Sequence, residues 1–291
     1  MPNTRDIRRR IRSVQNTRQL TKAMKMVSAA RLRRAQQAMV NARPYAQKMA
    51  DVLHSLAARA SPLAHPLLAE RELRRSEVVA LTGDRGMCGS FNANIIRRAA
   101  GVIAEEEAAH REMSLQCVGR KGRDYFRRRR PIRRERVDFF RSFGYAAAAA
   151  IARELMDRFV QEEIDSVVVV YNEFKSALQP RVVVERLLPV PRAEVQAQPQ
   201  GTLEDYIYEP PGPELLEELL PRHVEWQVYR ACLESAAAEH AARMNAMESA
   251  TRNAGEMIDQ LTLFLNRVRQ ASITREIIEV VSGAEALAES L

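Results

Sequence analysis

The sequence predicts an α+β fold, in which the two chain ends form a long antiparallel two-helix coiled coil around an inserted α/β domain. Residues 3–43 contain neither glycine nor proline, and residues 222–282 contain one glycine and no proline. Both stretches are far longer than the average helix of about 11–12 residues. Short apolar runs alternate with helical stretches between them. We therefore predict three parts: 1–60, 75–195 and 205–291, with the last part pairing with the first.

The N-terminal helix is predicted from apolar residues at steps of three and four, which place them on one helix face. The stripe consists of Ile7, Ile11, Val14, Leu20, Met24 and Val27. A seven-residue repeat would put the next apolar residue after Val14 at Thr21, so we predict a slip of one residue that changes local supercoiling. Pro44 is expected to bend or end the helix, with a possible continuation to about Ala60.

The C-terminal helix is predicted from a longer and cleaner stripe, which covers four heptads of a coiled-coil seam. Its members are Met244, Met247, Thr251, Ala254, Ile258, Leu261, Leu265 and Val268. Periodicity alone also allows a core helix of a helical bundle. The distant N-terminal partner favours the coiled coil, and the two helices must pair antiparallel if the middle is a single insertion.

The middle of the chain is predicted to be a small Rossmann-like α/β domain whose sheet is at least partly parallel. The predicted strands are Glu77–Leu81, Ser114–Val118, Ser166–Tyr171 and Arg181–Leu188. The predicted helices between them are Asn92–Arg111 and Ala146–Glu163. A proline-rich stretch that ends at Pro213 then precedes the last helix.

The positive charge is concentrated at the N-terminus. Residues 1–60 carry a net charge of +12, residues 61–221 carry −1, and residues 222–291 carry −3. Opposite charges favour pairing of the terminal helices, and the surplus on the first indicates an acidic partner, either protein or phosphate. No run of about 20 apolar residues and no secretory signal are present. Three unpatterned cysteines are typical of a reducing, cytoplasmic setting.

Two local motifs have both structural and functional interpretations. The segment Gly83–Gly89 follows a strand and precedes a helix, as phosphate-binding loops do, but its spacing is that of neither a dinucleotide fingerprint nor a P-loop, so a tight structural turn is favoured. The segment Arg127–Arg136 holds seven arginines. It could bind nucleic acid phosphates, but a solvated loop or a strand edge is favoured because it lies inside the α/β region.

The sequence offers no candidate catalytic, cofactor-binding or metal-binding residues. The five histidines have no metal-ligand spacing, and no Ser-His-Asp or Cys-His arrangement can be assembled. We therefore expect no cofactor and no catalytic site on this chain.

Several motifs, spread over the whole chain, resemble the gamma subunit of bacterial F-type ATP synthases. They are Ile11–Thr17, Leu20–Val27, Arg43–Tyr45, Asp84–Gly89, Glu239–Met247, Asn266–Ile277 and Glu279–Ala284. The resemblance implies a central rotor shaft that couples proton flow to conformational change at catalytic sites on the beta subunits. It also implies one copy per complex, with three alpha and three beta subunits, an epsilon subunit and a c-ring as partners. Membrane contact would run only through the c-ring, at the cytoplasmic face of the bacterial plasma membrane.

The resemblance also assigns contact residues. Beta-subunit contacts are implied for Met24, Lys25, Arg243, Arg269, Gln270, Thr274 and Glu276. Contacts with the c-ring and epsilon at the foot of the shaft are implied for Tyr206, Ile207, Tyr208 and Glu209. Lys25 replaces an acid that is common in the family, and Arg127–Arg136 matches no family motif.

Two alternatives remain at this point. A basic coiled-coil protein that binds nucleic acid would explain the N-terminal charge and the arginine run, and its binding would weaken steeply with salt. A nucleotide-binding enzyme built on Gly83–Gly89 would show saturable nucleotide binding.

Overall fold

A computed structural model describes residues 4–57, 65–141, 143–176, 180–191 and 212–288. The helices are α1 (Thr4–Ala57), α2 (Phe91–Ala108), α3 (Arg120–Phe126), α4 (Tyr145–Val160) and α5 (Gly212–Ala288). The strands are β1 (Arg75–Leu81), β2 (Glu112–Val118), β3 (Arg134–Arg136), β4 (Ser166–Phe174) and β5 (Pro180–Leu188). Short 3-10 turns lie at Pro66–Leu68 and Phe139–Arg141.

The two terminal helices are long, as the absence of helix breakers predicts. Helix α1 continues through Pro44, so this residue does not end it. Helix α5 begins ten residues before position 222, and Pro213 falls in its first turn, where a missing backbone N–H is not needed for an intrahelical bond. Pro221 lies further inside the same helix and was not expected there.

The chain divides into two compact units. The terminal unit contains Met1–Val27 and Met244–Leu291, and the central unit contains Ser28–Arg243. In the terminal unit the two helices are antiparallel, because Thr21 pairs with Thr251 while Lys25, further along α1, pairs with the earlier residue Glu248.

The central unit is built on a mixed sheet in the order β3-β2-β1-β4-β5. Strands β3, β2, β1 and β4 are mutually parallel, and β5 returns antiparallel to β4. This confirms the predicted, partly parallel sheet. Strand β3 was not predicted as a strand, although an edge position was one of the favoured interpretations of the arginine run.

Both faces of the sheet are covered by other elements. The sequences of the central strands are therefore continuous apolar runs and do not alternate between apolar and polar residues. On one face Val78 and Ala80 of β1 pack with α2 through Ile95 and Ala99. On the other face Val79 and Leu81 belong to a core that includes α4 and the beginning of α5. Successive side chains of one strand therefore enter two separate cores.

Candidate partner-binding surface

The buried face of α1 follows an unbroken heptad repeat, and the predicted register slip is wrong. Thr21 is only 7% exposed, whereas its neighbour Leu20 is 61% exposed. Ser28, seven residues after Thr21, is also buried. Small hydroxyl side chains thus continue the seam that Ile7 begins, and Leu20 and Val27, which suggested a slip, lie outside it.

Large apolar side chains of α1 between positions 20 and 27 consequently lie on the surface. Leu20, Met26 and Val27 are each more than half exposed. Sequence reasoning placed Leu20 and Val27 in the helix seam and so missed their exposure. The seven-residue spacing of Ile7, Val14 and Thr21 was the signal that could have found it. Exposed apolar residues in a cluster typically mark a surface that another molecule covers.

Polar pairs join the two helices of the terminal unit. Thr251 donates a hydrogen bond from its hydroxyl to that of Thr21 at 2.7 Å. Lys25 Nζ lies 2.7 Å from Glu248 Oε1, and both side chains are substantially exposed. Lys25 therefore has an acidic partner within the protein. The hydrogen bond and the positive charge of Lys25 lower the pKa of the Glu248 carboxyl. Met24 is half-buried beside it.

The C-terminal part of α5 extends beyond the first residue of α1. The pairs that Thr21 and Lys25 make with α5 set the register of the two helices. Continuing this register to the start of α1 puts Thr4 opposite about residue 268. Consistently, every described side chain from Arg269 to Ser282 is exposed. The predicted contact residues Arg269, Gln270, Thr274 and Glu276 lie within this stretch.

The exposed stretch carries many apolar side chains. Ile273, Ile277, Ile278, Val280 and Val281 are between 48% and 71% exposed. A single helix gains most of its stability from packing an apolar face against another element. A surface of this composition is therefore suited to a partner that surrounds the helix.

Side chains of α5 lie against the turn at Gly83–Gly89. A Cβ atom at Gly83 would lie 2.9 Å from the Cδ atom of Glu239. The backbone N–H of Gly83 donates to Asn92 Oδ1 at 2.8 Å. A phosphate in this turn would meet a buried carboxylate, so the geometry favours the structural interpretation of the motif.

Arg243 differs from the other predicted contact residues because it is only 7% exposed. It forms an ion pair with Glu239, and its Nε atom donates to the carbonyl of Gly86 at 3.3 Å. Burial raises the pKa of Glu239, against the opposing charge of Arg243. Burial also lowers the pKa of His240 to about 4, with further lowering by the positive charges of Arg243 and Arg31. The pair attaches α5 to the turn within the central unit.

The arginine run contributes to an ion network inside the central unit. Arg133 donates to Glu77 Oε1 at 2.8 Å and to Glu154 Oε1 at 2.7 Å. Arg136 donates to Glu154 Oε2 at 2.7 Å, and Arg158 pairs with the other oxygen of the fully buried Glu77. Burial acts to raise the pKa of Glu154, but the hydrogen bond and charge of Arg133 and the charge of Arg136 lower it overall.

The remaining metal-ligating and nucleophilic side chains in the described part of the chain form no further candidate site. No group of three or more His, Cys, Asp and Glu side chains there could hold a metal ion. Cys88, Cys117 and Cys232 are free and buried, and burial raises the pKa of each thiol. No described helix is long and apolar enough to cross a membrane. The predicted foot contacts Tyr206, Ile207, Tyr208 and Glu209 lie outside the described residues.

Sequence comparison finds close relatives over the whole chain. A family model described as ATP synthase matches residues 3–287. The ATP synthase gamma chain of Anaeromyxobacter sp. (strain Fw109-5) is 53% identical and covers 99% of this chain and 100% of its own length. The ATP synthase gamma chain of Solibacter usitatus (strain Ellin6076) is also 53% identical, with coverages of 98% and 99%.

Structural comparison gives chains from solved mitochondrial ATP synthase structures. A chain of the central stalk and c-ring structure of the Tetrahymena thermophila mitochondrial ATP synthase aligns with a TM-score of 0.59 and 28% identity, covering 79% of this chain and 99% of that one. A chain of the Euglena gracilis mitochondrial ATP synthase, in a structure of OSCP, F1 and c-ring in rotational state 3, aligns with a TM-score of 0.65. It covers 98% of this chain and 94% of its own length at 20% identity, which shows a shared fold.

Proposed function

The chain belongs to the ATP synthase gamma chain family, and from that membership we propose that it is the central rotor shaft of a bacterial F-type ATP synthase. In this role it couples proton flow through a membrane ring to conformational change at catalytic sites on the beta subunits. It carries no catalytic site and needs no cofactor of its own. The exposed apolar stretch of α5 beyond residue 268 is the observation that supports the proposal most directly, because it needs a surrounding partner.

The proposed partners are three alpha and three beta subunits around the helices, with an epsilon subunit and a c-ring at the foot. One copy of the chain acts per complex. Contact with the membrane runs through the c-ring alone, on the cytoplasmic face of the bacterial plasma membrane. Tyr206, Ile207, Tyr208 and Glu209 are proposed for the foot contact. The division into residues 1–60, 75–195 and 205–291 stays a prediction, which limited proteolysis can test.

The proposed beta-subunit contacts fall into two groups. Arg269, Gln270, Thr274 and Glu276 are exposed and can meet a partner directly. Met24 and Lys25 are half-buried, and Lys25 pairs with Glu248, so both present only part of their side chains. Arg243 is proposed to contribute through its ion pair with Glu239, and a direct contact would require its side chain to leave that pair.

The mechanism needs a stiff and asymmetric shaft. Two paired helices resist bending better than one, and the greater length of α5 makes the faces of the shaft unequal. Each beta subunit then meets a different face at each rotational angle, which biases its open or closed state by differential contact. Arg269 can donate charge-assisted hydrogen bonds of roughly 1.5–3 kcal/mol each at particular angles.

Co-expression with the alpha and beta subunits, followed by size-exclusion chromatography, tests the proposal. We expect one copy of the chain to elute with three copies of each partner. Replacing both Arg269 and Gln270 by Ala should leave the isolated chain folded and lower ATP synthesis about tenfold or more relative to ATP hydrolysis. Elution of the chain apart from both partners would contradict the proposal.

The nucleic-acid alternative is not favoured by these observations. Phe126 is buried, and the guanidinium of Arg129 covers the ring of Tyr125 at 3.9 Å. Neither ring beside the arginine run is therefore open for stacking on a base, which single-stranded nucleic acid binding commonly uses.

A further inference from the structure

The arginines of the run Arg127–Arg136 fall into two groups, those with a partner within the protein and those exposed without one among the described residues. Five of the seven arginines have partners within the protein: Arg129 lies on the ring of Tyr125, Arg130 pairs with Glu107, Arg133 pairs with Glu77 and Glu154, and both Arg134 and Arg136 pair with Glu154. Arg134 lies at the longer distance of 3.7 Å from Glu154. Pairing within the protein thus accounts for most of the arginines in the run, but not for Arg127 and Arg128.

Arg127 and Arg128 are both exposed, and among the described residues neither side chain has an acidic partner. They directly follow α3, whose residues Lys121 and Asp124 are also exposed. Arg127 keeps helical backbone angles, so the steps of three residues from Lys121 to Asp124 and from Asp124 to Arg127 make each of these pairs neighbours on the helix surface. Asp124, Arg127 and Arg128 line a depression of about 510 Å³.

This face has an excess of positive charge. Residues 120–136 contain ten Lys and Arg against two acids, a net charge of +8. Asp124 is already paired with Arg123 at 2.7 Å, so it does not neutralise its arginine neighbours. The helix dipole favours cations at the C-terminal end of a helix, where Arg127 and Arg128 lie. This interaction does not neutralise their charge, so they can still attract an anionic partner.

We propose that Lys121, Arg127 and Arg128 form a docking surface for an acidic segment of a partner protein. Guanidinium groups match carboxylates in a two-pronged geometry, and the depression gives such a segment a concave seat. This surface is separate from the exposed helix surface assigned to the rotor function and does not depend on that assignment.

A membrane surface fits these residues less well. None of the large apolar side chains within residues 120–141 is exposed. Electrostatic attraction to anionic lipids contributes about 1 kcal/mol per basic residue, so three cations without an apolar anchor give only weak membrane binding. The covered ring of Tyr125 disfavours single-stranded nucleic acid for the reason given above.

The lysine in the surface allows a direct test with the full chain. The chain contains only five lysines, at positions 22, 25, 48, 121 and 175. A carbodiimide joins a lysine amine to a carboxylate that touches it. We propose coupling an N-acetylated octaglutamate peptide to the purified protein at low salt and locating the product by mass spectrometry. Lys121 should take up most of the peptide, and the yield should fall as salt is raised.

The variant R127E/R128E should lower coupling at Lys121 roughly tenfold, because two attractive pairs become repulsive. The control R33E/R34E makes the same charge change at two adjacent exposed arginines of α1 and should leave coupling at Lys121 within about twofold. R127K/R128K keeps the charge and should retain most of the coupling summed over positions 121, 127 and 128, because its two new lysine amines can also react. Circular dichroism of each variant confirms that it is folded.

Three results would overturn the proposal. One is equal coupling at all five lysines. Another is a loss at Lys121 that is the same for R33E/R34E as for R127E/R128E. The third is a protein that sediments with phosphatidylglycerol vesicles, or binds duplex DNA, through Arg127 and Arg128 while octaglutamate does not couple at Lys121.

Discussion

Thr251 donates a hydrogen bond to Thr21 across the helix pair, with 2.7 Å between the two hydroxyl oxygens. The seam of the terminal unit therefore contains a polar contact where a purely apolar pair would bury more surface. Polar residues at such positions specify the register of paired helices at some loss of stability. The pair fixes which residues of α1 and α5 lie opposite each other.

The first prediction concerns this pair. Thr21→Val should leave the Thr251 hydroxyl without its cross-helix partner, and a double-mutant cycle with Thr251→Val should give a coupling free energy of about 0.5–1.5 kcal/mol. Thr262→Val is the matched control, because within the described residues its hydroxyl bonds to the carbonyl of Ile258 in its own helix and not across to α1. Chemical denaturation followed by circular dichroism measures all the variants, and a coupling near zero would remove the proposed role in register.

The second prediction separates the exposed face of α1 from its seam. Leu20→Ala should change the free energy of unfolding by less than about 0.5 kcal/mol, because the side chain is 61% exposed. Leu32→Ala, in the same helix but buried, should cost about 2–5 kcal/mol. In co-expression with alpha and beta subunits, Leu20→Ala should reduce recovery of the complex despite its unchanged stability. Full recovery would show that this position is not covered by a partner.

The third prediction concerns the buried carboxylate of Glu77. Glu77→Ala should destabilise the central unit by about 3–5 kcal/mol, because Arg133 and Arg158 lose the group that compensates their charge. Glu105→Ala is the control, since its pair with Arg98 is largely exposed and should contribute less than about 1 kcal/mol. Urea denaturation measures both changes. Equal losses in the two variants would argue against a buried network.

The fourth prediction concerns Gly119, which has a φ angle of +97°. A Cβ atom there would lie 1.8 Å from the carbonyl oxygen of Thr82, so Gly119→Ala should cost at least about 3 kcal/mol through strain and backbone displacement. Gly144→Ala is the control, because a Cβ atom at Gly144 meets nothing within 4 Å. The control should lose less than about 1 kcal/mol. Thermal melting distinguishes the two substitutions.

The fifth prediction is a pH dependence from His240. Burial and the charges of Arg243 and Arg31 lower its pKa from 6.5 to about 4 in the folded protein. Between these values the unfolded chain binds a proton that the folded chain does not, so stability falls as pH is lowered from about 6.5 to about 4. His240→Gln should remove this contribution.

The raised pKa of the neighbouring Glu239 acts in the opposite direction, but it is present in both proteins. The measurement is therefore the difference in melting temperature between the two proteins across this pH range. A difference that is independent of pH would contradict the assignment to His240.

Helix lengths and strands were predictable because they depend on local features. Glycine and proline are rare in α1 and α5, and β-branched runs mark β1 and β4. Strand β3 was not predictable in this way, because its Arg-Glu-Arg sequence has no apolar character. Its arginines are stabilised by Glu154, which is distant in sequence, and such pairing leaves no local signal.

The candidate surface was predictable only in part. The position of Arg269 and Gln270 on an exposed helix follows from the family resemblance. The exposure of Leu20 does not, because an apolar pattern assigns a leucine to the seam in preference to a threonine. Thr21 can be buried because its hydroxyl donates to the carbonyl of Arg18 in its own helix, 3.1 Å away. A search for hydrophobic side chains alone overlooks buried polar residues whose hydrogen bonds are satisfied within their own helix.

The short strand β3 also has a consequence for the protein before it meets any partner. It forms one outer edge of the sheet, where unpaired backbone groups can recruit a strand from another molecule. Three residues with alternating charge offer such a strand little length and no apolar contact. The charged residues of β3 therefore also disfavour edge-to-edge pairing between the sheets of two copies of the chain.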